Sequence, residues 1–153
     1  MQISPSFVNF HECLGYTSFM QKTFIDKLAY IYIHDRMVLS TLSQGKDTWY
    51  IPGGKREDGE SDVQALIREV EEELTVHLKP ETIRHYGTFE AQAHGKPEGT
   101  IVRMTCYTAE FDGELTPSNE VEKMDYLGYV GKSMSSSVDG LIFDDLKSRD
   151  LID

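Results

Sequence analysis

No stretch of the 153-residue chain approaches roughly 18 uninterrupted apolar residues, so no membrane-spanning helix is expected and the membrane is not a partner. Met1–Phe10 lacks the basic start and long apolar run of a secretory leader, which makes the cytoplasm the expected compartment. Cysteine is scarce. Cys13 and Cys106 stand far apart, outside any CxxC pattern, and read as free thiols, with Cys106 inside a strand. His11, His34, His77 and His85 share no metal-ligand spacing. Basic residues are also short: 15 Lys and Arg against 26 Asp and Glu leave a net charge of −11. Such a surface repels phosphate backbones and excludes nucleic-acid polymers as partners. A small phosphate ligand can still bind if divalent cations bridge the two negative parties. Repeats and low-complexity runs are absent, and the length suits one domain over residues 1–153. Residues 1–21 stay outside any clear pattern and read as an N-terminal extension of unassigned role.

What is present begins with strands. Lys27–His34 (KLAYIYIH) is rich in aromatic and β-branched residues. Asp35-Arg36 reads as a tight turn, Met37–Leu42 as the hairpin partner, and Trp49–Ile51 as a short third strand that runs into Pro52-Gly53-Gly54, the strongest break in the chain. Ser61–Thr75 is the clearest helix. Val63, Leu66, Ile67, Val70 and Leu74 fall at steps of three and four, Ser61 suits the N-cap, and Asp62 suits the positive end of the dipole. Thr82–Ala93, Thr100–Phe111 and Met124–Val130 read as further strands, with the loop His94–Gly99 (HGKPEG) between the first two. Val138–Leu151 reads as a closing helix. The order strands, helix, strands, helix predicts an α/β fold in which helices pack on a mixed sheet.

The chemistry concentrates on the central helix. Glu69, Glu72 and Glu73 stand three and four residues apart and share a face, expected on the side away from the apolar stripe, with Glu71 off the cluster. Like charges so placed cost about 0.2–0.5 kcal/mol per pair in an isolated helix. A hard divalent cation with oxygen ligands offsets that repulsion. Gly53-Gly54 lets backbone approach a ligand closely, and the loop Lys55–Gly59 returns the chain to the helix start. Arg68 can fix Glu60 by a bidentate contact and so hold loop to helix. An acidic run such as Arg68–Glu73 is ordinarily the wet face of a helix. The Pro-Gly-Gly turn and the offset of Glu60 argue against that reading, and against a simple acidic interaction protein.

Gly54, Glu60, Arg68, Glu69, Val70, Glu72, Glu73 and Val76 together resemble the Nudix box: Gly, five residues, Glu, seven residues, Arg-Glu, an aliphatic, any residue, Glu-Glu, any residue, Gly, an aliphatic. Only the last glycine departs, being Thr75. Glycine suits a left-handed helix end and a β-branched residue does not, so the helix is expected to end differently or run slightly further. The resemblance implies a Nudix-type α/β/α sandwich with a central mixed β-sheet. It also implies a MutT-like hydrolase that cuts a pyrophosphate bond in a nucleoside diphosphate linked to another moiety, a nucleoside triphosphate or similar, with Mg2+ or Mn2+. Carried over residue by residue, Glu69 and Glu73 are the main metal ligands and Glu72 assists. The Gly53 carbonyl joins in, and Glu120 supplies a further carboxylate, with Glu122 second. Gly54, Glu60 and Arg68 support the site. The general base is open among Glu69, Glu72 and Glu120, with Glu120 slightly favoured because a loop residue need not be committed to metal. Substrate candidates are Trp49 or Tyr50 for stacking, Arg36 and Arg103 for phosphates, and His94 over the cleft. A homodimer is the candidate assembly, on family analogy alone. The alternative is a non-catalytic Nudix-like module that binds or senses a nucleotide, and the full set of glutamates disfavours it.

Overall fold

The structure is a computed structural model that describes residues 21–153. The extension, Cys13 and His11 therefore lie outside the described residues, apart from Gln21. Along the chain come β1 (Thr23–Tyr30), β2 (Ile33–His34), β3 (Met37–Ser43), β4 (Trp49–Tyr50), β5 (Gly53–Gly54), α1 (Asp62–Leu74), β6 (His77–Leu78), β7 (Arg84–Gln92), β8 (Thr100–Thr108), β9 (Phe111–Asp112), β10 (Val121–Leu127) and α2 (Ser137–Ser148). A mixed sheet runs in the order β5-β1-β8-β7, with β1 and β8 parallel and the outer pairs antiparallel. A second, antiparallel sheet runs β10-β3-β2, with β4 on β3.

The layering follows from strand alternation. Leu28 and Tyr30 of β1 and Leu39 of β3 turn one way and pack with Leu66, Val70 and Leu74 of α1. Ala29, Ile31 and Val38 turn the other way and pack with Ile142, Phe143 and Leu146 of α2. Two apolar layers thus separate two helices from the strands between them, as the α/β/α expectation requires.

Several boundaries differ from the sequence reading. The first strand starts at Thr23 and breaks after Tyr30, and Ile33–His34 then pairs with β3. Thr100–Phe111 divides into β8 and β9, because Phe111–Asp112 leaves to pair with β6. The strand placed at Met124–Val130 is Val121–Leu127, followed by a 3-10 stretch at Tyr129–Met134. On α1 the buried side includes Ala65, and Val63 is 38% exposed.

Helix α1 starts with a reciprocal capping box. The Gln64 N–H donates to the Ser61 hydroxyl at 3.3 Å, and the Ser61 N–H donates to Gln64 Oε1 at 2.9 Å. It ends with Thr75 in the left-handed region at φ 61, its N–H donating to the Glu71 carbonyl. The expectation that a threonine avoids this conformation is overturned. The Thr75 hydroxyl donates to the Leu74 carbonyl at 2.7 Å and lies near the Glu114 and Thr116 carbonyls, while the Thr116 N–H donates to the Leu74 carbonyl. These bonds offset the roughly 1–2 kcal/mol that a left-handed residue costs.

Asp139 pins α2 to the strands. It is fully buried, and its carboxylate accepts from the Ile51 N–H at 3.1 Å and from the Ser136 hydroxyl. Burial pushes its pKa up to about 6, against the pull of those two donors. A carboxyl raised by folding holds its proton more tightly when folded. Its contribution to stability is therefore greatest below about pH 4, falls as pH rises to about 6, and is level above that. Stability measured by urea unfolding is expected to decline across this window, and Asp139→Asn to remove roughly 3 kcal/mol of the decline.

Candidate metal centre

Two glycines bring the strands close enough to α1 to build a site. At Gly53, φ is +147 and a Cβ would lie 2.0 Å from the Leu28 carbonyl oxygen of the neighbouring strand. At Gly54 a Cβ would lie 2.3 Å from the Glu69 carboxyl carbon. Only glycine at both positions lets the carboxylates of α1 rest against β5.

Glu73 is the deepest of them, 7% exposed. The Gly53 N–H donates to its Oε2 at 3.1 Å. Burial pushes its pKa up to about 8, with the Gly53 bond opposing and the charges of Glu69 and Glu120 adding to the rise. The expectation that all three helix glutamates lie away from the apolar stripe is thus corrected. Glu73 stands seven residues, about two turns, after Leu66, and so falls on nearly the same line of the helix. Glu69 is partly buried and its pKa is also raised, chiefly by desolvation and against the effect of Arg68. Glu72 is more exposed and lies 3.5 Å from Arg68.

Arg68 organises the loop. Its Nε and Nη2 donate to the two Glu60 oxygens at 2.7 and 2.8 Å, the bidentate contact expected. Nη2 also donates to the Lys55 carbonyl and Nη1 to Glu69, each at 3.0 Å. Glu60 accepts a further bond from the Glu57 N–H at 2.7 Å, and Arg68 holds its pKa down at about 2. Gly54, Glu60 and Arg68 therefore fasten the Lys55–Glu60 loop to the helix.

Glu120 reaches the same place from the turn before β10, where Asn119 adopts φ 55 and the Gln44 N–H donates to the Glu120 carbonyl. Glu120, Glu73 and Gly53 line one cleft of about 160 Å³. The Glu69 carboxylate lies against Gly54, next to Gly53 of this cleft, and feels the charges of both Glu72 and Glu120. Glu122 lies on β10 beside Lys123 and does not line the cleft. Among the described residues no three acidic, histidine or cysteine side chains converge as a closed ligand set. The Arg68 guanidinium draws Glu69 and Glu72, while the Gly53 amide holds Glu73. The donors are all oxygen and one is a buried carboxylate whose charge the protein alone does not neutralise. That set fits a hard divalent cation.

A second cavity of about 210 Å³ adjoins the cleft and shares Lys27, Tyr50 and Met104 with it. Its floor includes Ile25, Val102 and Val138, and its rim includes His94. His94 and Tyr50 are therefore brought to the site. Trp49 is not: it lines neither cavity, and as the strand neighbour of Tyr50 it falls on the other face of β4. Arg36 is not either, since its guanidinium donates to Asp153 at 2.5 Å and to Asp150 at 2.7 Å, clasping the C-terminal segment. Arg103 is bound to Glu90 at 2.7 Å on the face opposite Val102 and Met104. Residues that the sequence reading passed over are Lys27, Lys55 and Lys96, which also line the second cavity.

A family model for the NUDIX domain matches residues 28–129. Among curated proteins the chain is similar to the human 8-oxo-dGDP phosphatase NUDT18, 50% identical over 38 residues that cover 25% of this chain and 12% of that protein. It is also similar to the 8-oxo-dGTP diphosphatase of Proteus vulgaris, 35% identical over 68 residues that cover 44% of this chain and 56% of that protein. The chain thus spans about half or less of the length of these relatives. Among solved structures the E. coli ORF135 protein superposes with a TM-score of 0.66 at 21% identity, over 83% of this chain and 91% of that one.

The buried Glu73 gives the site a signature measurable without any substrate. Glu73→Gln keeps an acceptor for the Gly53 N–H and removes the buried charge. In metal-free protein at about pH 9 the variant is expected to melt higher than wild type. Wild type is expected to gain melting temperature with Mg2+ and the variant to lose most of that gain.

Proposed function

The chain belongs to the NUDIX domain family, and from that membership we propose that it is a Mg2+-dependent hydrolase of the pyrophosphate bond in a nucleoside diphosphate linked to another group. The observation that carries the reading is the cleft where Glu73, Gly53 and Glu120 meet beside Glu69. A bound divalent cation supplies charge neutralisation on phosphoryl oxygens and eases deprotonation of an attacking water. Glu69 and Glu73 would be its principal holders, with Glu72 assisting.

Glu120 is the proton acceptor in this reading. It is exposed, forms no side-chain hydrogen bond among the described residues, and comes from a turn instead of the helix that holds the cation. Glu60 and Arg68 touch no reacting atom. They fix Glu69 and the Lys55–Glu60 loop, so that the carboxylates stand in place before substrate arrives. The second cavity receives the nucleoside, with apolar Ile25, Val102 and Val138 beneath it and Tyr50 at the side. The names of the two curated relatives support an oxidised guanine nucleotide as the first substrate to try.

Purified protein with Mg2+ is expected to release phosphate or pyrophosphate from a panel of nucleoside di- and triphosphates that includes the oxidised guanine forms. Glu120→Gln is expected to lower kcat by about 10²–10⁴. Turnover that persists in excess chelator, or nucleotide binding with no turnover of any panel member, overturns the proposal; the latter outcome favours a binding module.

A further inference from the structure

Strand β1 carries one charge on the face that holds Ile25 and Ala29. Ile25 and Ala29 face α2, and Lys27 stands between them, opposite Met104 of β8 across the parallel ladder. It is half-buried and lines both cavities. Arginines nearby are satisfied: Arg56 is paired with Asp62, Arg68 with Glu60, and Arg103 with Glu90. Lys27 forms no ion pair and donates no side-chain hydrogen bond among the described residues, in a chain with 26 acidic residues to choose from.

Its acidic neighbours are Glu73 and Asp139, both engaged elsewhere, and Glu120, which lines the same cleft from the turn before β10. Glu73 and Asp139 feel the Lys27 charge, which lowers the pKa of each. Glu73 accepts from Gly53, and Asp139 accepts from Ile51 and Ser136. The Lys27 donors thus stand uncommitted at a half-buried position that opens into both cavities, where a ligand can meet them. Its place at the junction, with Tyr50 and Met104, puts them where a ligand in the second cavity passes into the carboxylate cleft. An ammonium suits an oxygen of a phosphoryl group there as a point charge with several donors.

We propose that Lys27 is a substrate-binding residue that holds a phosphoryl oxygen of the nucleotide at the passage between the two cavities. This rests on the reading of the site as a pyrophosphate hydrolase. Lys55 and Lys96 on the rim of the second cavity, without an ion pair among the described residues, add attraction for the same anionic ligand.

The test uses the panel substrate that wild type turns over fastest. Absence of any turnover in wild type defeats the underlying reading, whereas the following outcomes judge Lys27 alone. Lys27→Met keeps the apolar stem and is expected to raise KM about ten- to hundredfold, with kcat changed less than about threefold. Lys27→Arg is expected to recover most of the loss. Inhibition by the nucleoside monophosphate product is expected to weaken by a factor similar to KM, and inhibition by the uncharged nucleoside to stay the same. Lys27→Gln serves in place of the methionine variant if that one fails to fold. A KM within about twofold of wild type, or equal weakening for nucleotide and bare nucleoside, overturns the proposal.

Discussion

The amide of Gly53 reaches across to Oε2 of Glu73 and ties a two-residue strand to the helix behind it. Take this bond away and a carboxylate is left in a nearly dry position with no donor, a situation proteins rarely tolerate. The bond demands a backbone at φ +147 that presses on the Leu28 carbonyl, and so demands glycine. It also demands that the next residue carry no side chain, because the Glu69 carboxylate occupies that space. The Arg68–Glu60 pair then fixes the loop that joins strand to helix. Each part of the motif thus constrains the next: glycines admit carboxylates, an arginine aligns one of them, and a buried glutamate links the assembly to the core.

How much of this could be read from residues alone depended on whether the relevant spacing was local. The glycine, glutamate and arginine positions fall within 23 consecutive residues, 54 to 76, and a periodic helix fixes their relative directions. Bidentate pairing of Arg68 with Glu60 followed from that geometry. Glu73 was harder, because charge suggested solvent; counting two turns from Leu66 places it inward, so the signal was there. Thr75 was misread for a different reason: its hydroxyl partners, Leu74, Glu114 and Thr116, include two residues some forty positions away. Arg36 likewise has its partners at Asp150 and Asp153, which no local pattern reveals. Lys27 was legible as a lone charge at an inward strand position, yet its meaning required both cavities.

Charge distribution explains how so acidic a protein can attract an anion. The acidic excess is spread over the surface, while Lys27, Lys55 and Lys96 gather at one cavity beside the glutamates. A nucleotide approaching that cavity meets local positive charge despite the net −11. The burial of Glu73 serves the same end from the other direction, since a desolvated carboxylate recovers its charged form most readily against a divalent cation.

The two cavities are built from different parts of the chain. The carboxylate cleft depends on β5, α1 and the Glu120 turn, fastened by the Gly53–Glu73 bond and by the Gln44 N–H on the Glu120 carbonyl. The adjoining cavity draws one rim from the 93–99 loop, which carries His94 and Lys96 and is punctuated by Gly95 and Gly99 at positive φ. A loop of that kind accepts insertions and exchanges without disturbing the strands it joins. The protein is in effect divided into a tightly fastened strand–helix unit and a loop, so residues of the 93–99 rim can be exchanged while the Gly53–Glu73 contact that shapes the neighbouring cleft stays untouched.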